Sequence, residues 1–235
     1  MNHFKFKYSL PRQIHEDLWE VRGEWSNKLG RRMTVIRINS NELLIHSAIA
    51  IKDADLNWLN SLGKVSYIVA PNTFHCSDAP WYAQKFPDAQ LFVPESKLIH
   101  FSKLGLNPKN LNIENFKSVS DEVEFFYMRG SRMQETALIH KKSKTLILCD
   151  LAFNMENVFS GIEKRIMNWN KVGGQFGPSK LTKYLFTKST KELKNSYSKV
   201  MDMNFDRIIV NHGQVLETGG KLALQLSVSE IFGEI

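Results

Sequence analysis

Between residues 123 and 149 three β-rich runs follow one another with only turns between them, and no other stretch limits the fold as much. They are VEFFYM (Val123–Met128), ETALIH (Glu135–His140) and KTLILC (Lys144–Cys149), the last two separated by a lysine-rich turn. A doubly wound parallel sheet needs more regular alternation of strand and helix than this. The first half reads differently. MTVIRI (Met33–Ile38) and LLIHS (Leu43–Ser47) flank NSNE, a hairpin-turn composition. Asp53–Leu62 is an amphipathic helix with Gly63 as its stop, and YIVA (Tyr67–Ala70) is a wholly apolar strand of the kind buried on both faces. Ala79–Phe86 is expected to be helical and Leu91–Val93 to be a strand.

The remainder repeats the theme. Residues 95–120 are polar and weakly periodic, a helical turn plus loop; residues 155–180 carry a helical stretch and then the loop GGQFGPS. Leu181–Met201 is expected as one long helix, Arg207–Val210 as a last core strand and Thr218–Val228 as a closing helix. Two similar halves, each of strands with helices, predict an α/β (α+β) fold in four layers, an αββα sandwich. With 235 residues, 43% of them hydrophobic and 15 Phe among them, one domain spanning residues 1–235 can fill such a core.

Composition excludes several classes. No apolar run approaches the ~20 residues of a membrane span, so no membrane partner is expected. MNHFKFKYSL has no apolar stretch of a secretory signal, and a cytoplasmic protein follows by default. The two cysteines, Cys76 and Cys149, form no close pair and support neither a disulfide framework nor a CxxC motif; they read as buried or site-adjacent thiols. The formal charge of +7 could steer an anionic ligand. Without a nucleic-acid motif it reads as a solvated lysine-rich surface, with no specific nucleic acid as partner.

Three segments share one layout, an apolar strand running directly into polar, ligand-capable residues. YIVAPNTFHCSD offers Asn72, His75 and Asp78; TLILCDLAFN offers Asp150; RIIVNHGQV offers His212 before a glycine. Strand ends and the loops after them are where a rigid scaffold places its site. A carboxylate and two imidazoles form a chemically sensible set for zinc or iron. There is no GxSxG elbow, and the glycines of KVGGQFGP match neither a P-loop nor a dinucleotide fingerprint.

The order strand–loop–His, strand–Asp, strand–His-Gly resembles the metallo-β-lactamase superfamily over roughly residues 16–215. LWEVRGEW, RMTVIRI and ELLIHS resemble its opening strands, and FPDAQLFVPES the strand after its motif helix. KTLILCDLAFN and VNHGQV are similar to the stretches that carry its metal-bridging Asp and late His, which map to Asp150 and His212. The hallmark HxHxDH is degenerate: if His75 takes its final His, then Ala70, Asn72 and Phe74 stand at the other ligand positions. The family's middle His falls in MRGSRMQE, with Arg132 as its occupant, and His46 stands in HSA where the family usually has Asp. The resemblance implies at most a mononuclear site at His75, Asp150 and His212, holding one zinc or iron ion or none. Asp78 or Glu135 is then a candidate base or extra ligand, and Arg132 a contact for an anionic substrate. Trp81, Tyr82 and Trp169 read as packing residues or as walls of a pocket mouth.

Two functions remain open at this level: a hydrolase-like enzyme with a reduced metal site and a small-molecule substrate, or a ligand-binding or regulatory protein that kept the fold and lost the chemistry. The retained ligand set favours the first. Exposed aromatics and the late helix leave room for a homodimer.

Overall fold

The computed structural model describes residues 7–24, 29–111, 121–156 and 158–235. Seven strands form one mixed sheet in sequential order: β1 (Arg12–His15), β2 (Leu18–Gly23), β3 (Arg31–Ile38), β4 (Glu42–His46), β5 (Lys64–Val69), β6 (Gln90–Val93) and β7 (Pro108–Asn110). The first four are antiparallel; β4 through β7 run parallel, with α1 (Leu56–Leu62), α2 (Ala79–Lys85) and α3 (Leu98–Lys103) in the connections. The second sheet contains β8 (Val123–Tyr127), β9 (Thr136–His140), β10 (Thr145–Leu148) and β11 (Arg207–Val210), in the order β11-β10-β9-β8. The helices of this half are α4 (Gly161–Trp169), α5 (Lys180–Tyr184), α6 (Thr190–Met201) and α7 (Gly220–Phe232).

Alternation along the strands builds the layers, because successive side chains point to opposite faces. Ile36, Ile38, Leu44, Val69 and Phe92 of the first sheet meet Val123, Phe125, Leu138, Ile147 and Ile209 of the second in a dry inter-sheet core. The opposite face of the first sheet, with Met33, Val35, Leu43 and Ile45, packs on Leu59, Tyr82 and Phe101 of α1, α2 and α3. The outer face of the second, with Ile139, Leu146, Leu148, Ile208 and Val210, packs on Leu193, Tyr197 and Val200 of α6 and Leu224 and Val228 of α7. Helix, sheet, sheet, helix is the expected αββα order. Each fully buried Leu, Ile or Phe contributes about 1.5–3 kcal/mol, so the inter-sheet layer is a large share of what holds the halves together.

Three sequence expectations change. The single helix over Leu181–Met201 is two helices, α5 and α6, each with its own serine cap. Ser179 accepts from the Thr182 N–H at 2.9 Å, and Ser189 accepts from the Glu192 N–H at 3.3 Å. The intervening backbone is drawn to the β8–β9 turn, where Arg132 N–H donates to Phe186 O and Lys188 N–H to Gly130 O. Pro108–Asn110, read as loop, is a short edge strand paired with β6. The closing helix begins at Gly220 and runs to Phe232, where Gly233 takes a left-handed φ of 85° and ends it. The rest of the 95–120 reading, from residue 112 on, lies outside the described residues.

Candidate metal centre

Strand register brings the three polar strand ends together. In the parallel pair β10·β11, Leu148 stands opposite Val210, so Asp150 and His212 leave the sheet at the same level. β5 ends at Val69 and releases the loop that carries Asn72 and His75. Asn72 Oδ1 accepts from the N–H groups of Phe74 and His75, both at 2.9 Å, a local side-chain turn that orients His75.

Asp150 Oδ1 is the meeting point. It lies 3.0 Å from His212 Nε2 and 3.2 Å from His75 Nε2, and the two imidazole nitrogens are 3.3 Å apart. All three residues are buried. Ligand atoms about 2.0–2.1 Å from a tetrahedral ion lie roughly 3.3–3.4 Å apart, so this triangle is close to one face of such a site. The Cys149 thiol joins the cluster, since His75, Cys149 and Asp150 offer ligand atoms all within 4.8 Å of one another.

The outer partners decide which lone pairs face inward. His212 Nδ1–H donates to Gly30 O at 2.6 Å, which turns Nε2 toward Asp150, where it can carry a proton to the carboxylate or offer a lone pair to a cation. Its ring also stacks on Phe153, with centroids 5.7 Å apart. His75 is held differently. Asn211 Oδ1 accepts from Arg32 N–H and from Ser47 Oγ, both at 3.1 Å, so the amide nitrogen faces His75 Nδ1 at 2.6 Å. A donor on Nδ1 leaves the ring proton on Nε2, where it donates to Asp150. His212 and Asp150 therefore fit a cation as they stand; His75 fits one once the Asn211 amide turns to present its oxygen.

Electrostatics follow from this packing. Burial by itself raises the Asp150 carboxyl, but His75 and His212 hold it well below the usual carboxylate range. Burial lowers His212, yet the bond to Asp150, its charge and the Gly30 and Leu29 carbonyls raise the imidazole above 6.5. Glu135 is pushed up to about 7, by burial first and then by Asp150. Its carboxylate accepts from the N–H groups of Cys149 and Asp150 at 2.8 Å and of Leu151 at 3.4 Å, clamping the loop after β10. Asn72 Nδ2 donates to both carboxylates, at 2.8 Å to Asp150 Oδ2 and 3.1 Å to Glu135 Oε2. Burial, then neighbouring His75, pushes the His46 imidazole down to about 3, and its Nε2 has no hydrogen-bond partner among the described residues.

The structure thus gathers His75, Asp150, His212 and Glu135. Asp78 is turned away into an ion pair with Arg31 and accepts from Ala50 N–H at 3.0 Å. Arg132 is exposed on the β8–β9 turn, and the group packed against the second oxygen of Asp150 is the Asn72 amide. Phe74 is half-exposed and meets Phe186 edge to face. Trp81 and Tyr82 belong to the core, while Trp169 is exposed. The partners that sequence reasoning passed over are Asn211, Ser47 and the Gly30 carbonyl. Asn211 stood beside His212 in VNHG, and its place at a strand end was the available signal.

Buried Arg32 fixes the segment that presents Asn211 and His212. Its guanidinium pairs with Glu20 at 2.5 Å and donates to the carbonyls of Val210 and Gly213, the latter at 2.6 Å. Gly213 has φ of 101°, and a Cβ there would stand 1.8 Å from Asn154 O, so only glycine lets the chain turn away after His212. A cavity of 410 Å³ lies alongside, lined by Tyr8, Arg22, Gly30, Arg31, Asn211 and Gly213 among others.

Solved structures match almost the whole chain. A metallo-β-lactamase from Pontibacter korlensis superposes with a TM-score of 0.61 at 9% identity, covering 97% of this chain and 99% of that one. The metallo-β-lactamase FIM-1 from Pseudomonas aeruginosa, in its mono-zinc form, gives 0.61 at 10% identity over 95% and 92%. One from Hirschia baltica gives 0.60 at 11% over 97% of each chain. The fold is the metallo-β-lactamase fold, in divergent form. No curated protein matches the sequence. The model of one sequence family does match, over residues 28–166, more than half of the chain, and the protein therefore belongs to that family, the domain of unknown function DUF4336.

Proposed function

We propose that the chain is a single-domain, metal-dependent hydrolase with one ion held by His75, Asp150 and His212. The observation that carries this is the triangle of inward-facing ligand atoms, 3.0–3.3 Å on a side. Two imidazoles and a carboxylate suit zinc or iron and leave a coordination position open. An ion there supplies Lewis-acid polarisation and brings a water's pKa down toward ~7. The chain's own groups do the rest. Asp150 orients both imidazoles, Gly30 sets the tautomer of His212, the Asn211 amide sets that of His75 once it turns its oxygen to Nδ1, and Glu135, near 7, holds or releases a proton close to neutrality.

The adjoining cavity suits a small substrate with an anionic group. Arg22 lines that cavity, with its guanidinium 3.5 Å from Gln214 Oε1 and from Gly213 O, and would meet such a group there. Arg132 and Asp78, the sequence-based candidates for anion contact and base, take supporting places in this reading: Arg132 on the exposed turn, Asp78 as the anchor of Arg31. Two unpaired thiols, Cys76 and Cys149, suit a reducing cytoplasm.

One observation favours a metal-free ligand-binding protein instead. Asn211 donates to His75 Nδ1, and both nitrogens of His212 face oxygen acceptors, Gly30 O and Asp150 Oδ1, the arrangement of an imidazolium against a carboxylate without an ion. Elemental mass spectrometry on protein purified without chelator or affinity-tag metal separates the two. About one ion per chain, lost in His75→Ala and His212→Ala, supports the hydrolase; no metal in three folded proteins means the chemistry is gone.

A further inference from the structure

We propose that α4 and α5 form a docking face for an anionic bilayer surface. Ile162, Ile166 and Trp169 follow helical spacing along α4, and all three point outward, exposed to 76%, 58% and 66%. α4 buries no side chain fully; half-buried Met167 anchors it in the small cluster of Met155, Phe159 and Val172. An amphipathic helix normally turns its apolar stripe to the core. Here the stripe faces away from it.

The face continues onto α5. Lys180 and Leu181 N–H groups both bond to Asn170 at the end of α4, at 3.0 Å, which fixes the two helices side by side. Tyr184 and Leu185 are exposed to 71% and 58%. Lys180 Nζ lies 4.6 Å from the Trp169 ring centroid, so cation and apolar surface are interleaved.

Charge selects the occupant. Residues 160–188 carry six cations, Lys164, Arg165, Lys171, Lys180, Lys183 and Lys188, against one acid, Glu163; Lys171 pairs with Glu230 of α7 and Lys183 Nζ donates to Ile231 O, and the net balance of the face stays positive. A second copy of the chain would set this basic surface against itself in a two-fold contact. An anionic lipid surface complements it, accepting Ile and Trp into the headgroup boundary and lysines at the phosphate level. Each Lys or Arg near such a surface changes partitioning about fivefold. No described helix is long and apolar enough to cross a membrane, and a helix lying in the interface needs no such length. Met167 and Phe153 pack against the same cluster of Met155, Phe159 and Val172, and Phe153 stacks on His212, so the docked face lies on the side of the candidate metal centre.

Vesicle flotation tests this with phosphatidylcholine alone and with phosphatidylcholine mixed with phosphatidylglycerol. The full chain should float with the anionic vesicles, release as salt rises, and show a blue shift of tryptophan emission that Trp169→Phe removes. Ile162→Glu/Ile166→Glu should weaken partitioning at least about tenfold while the melting temperature and metal content stay at the parent's values, since both side chains are exposed. No flotation at low salt overturns the proposal. Flotation unchanged in the double variant also overturns it, because another surface is then responsible. So does a parent dimer that the double variant converts to monomer without any lipid binding, because the face is then covered by a second copy.

Discussion

Replacing Arg32 by Met removes the cation that ties β3 to the segment carrying Asn211 and His212. Arg32 is 2% exposed and sits between Glu20 and the carbonyls of Val210 and Gly213. Met fills much of the same volume, so the loss is mostly electrostatic. Breaking a buried ion pair from one side costs about 3–5 kcal/mol, because the partner charge stays buried. Arg12 still holds Glu20 Oε1 at 2.7 Å, which places the cost at the lower end, about 3 kcal/mol. For a chain of this size that corresponds to a drop in Tm of roughly 6–12 °C. The assay is thermal and urea unfolding of Arg32→Met, Glu20→Gln and the double variant. The double variant should cost less than the sum of the singles, by about 0.5–3 kcal/mol, the range for residues in direct contact. A loss under about 1 kcal/mol in Arg32→Met, or strict additivity, would refute the reasoning; the pair would then be a passenger of the fold.

Two further outcomes follow from the same geometry. Asn211→Asp gives His75 Nδ1 an acceptor in place of a donor, and should tighten zinc binding on the order of tenfold in a competition titration with a chromogenic chelator; unchanged or weaker binding would sever Asn211 from the metal reading. His140 is fully buried on β9 and its imidazole is pushed down to about 4, by burial first and then by neighbouring His15. Its folded value lies below the unfolded one of about 6.5, so the stability it contributes is complete above pH 6.5 and is lost as pH falls toward 4. Between pH 7 and pH 5 the loss should approach about 2 kcal/mol, and chemical denaturation of His140→Gln should show a flatter profile over that window.

The layer order was legible in local pattern, and the convergence of His75, Asp150 and His212 in three polar strand ends taken together with the resemblance to the metallo-β-lactamase superfamily. A strand that alternates, or that ends abruptly in a polar residue, writes its role into neighbouring letters. Other features carried no such signature. The contact between Gly30 and His212 uses a main-chain carbonyl, which every residue has. Ser47 and Asn211 reach His75 only after β4 and β11 have been brought to one edge by different sheets. The break between α5 and α6 is set by the pull of the β8–β9 turn on Phe186 and Lys188, a tertiary demand that overrides the helical propensity of Leu181–Met201. Pro108–Asn110 pairs as a strand despite Pro, Lys and Asn, residues poor in β propensity, because β6 offers it an edge.

That edge has its own consequence. β7, the last strand of the larger sheet, is three residues long, begins with a residue that has no N–H, and points Lys109 at Gln90 and over the Phe92 ring. At the other edge β1 has four residues and a bulge at Gln13–His15. Strand addition by another chain needs a flat row of free donors and acceptors. Both ends of the seven-stranded sheet deny it one, so the largest β surface of the molecule is poorly made for fibril growth even when crowded.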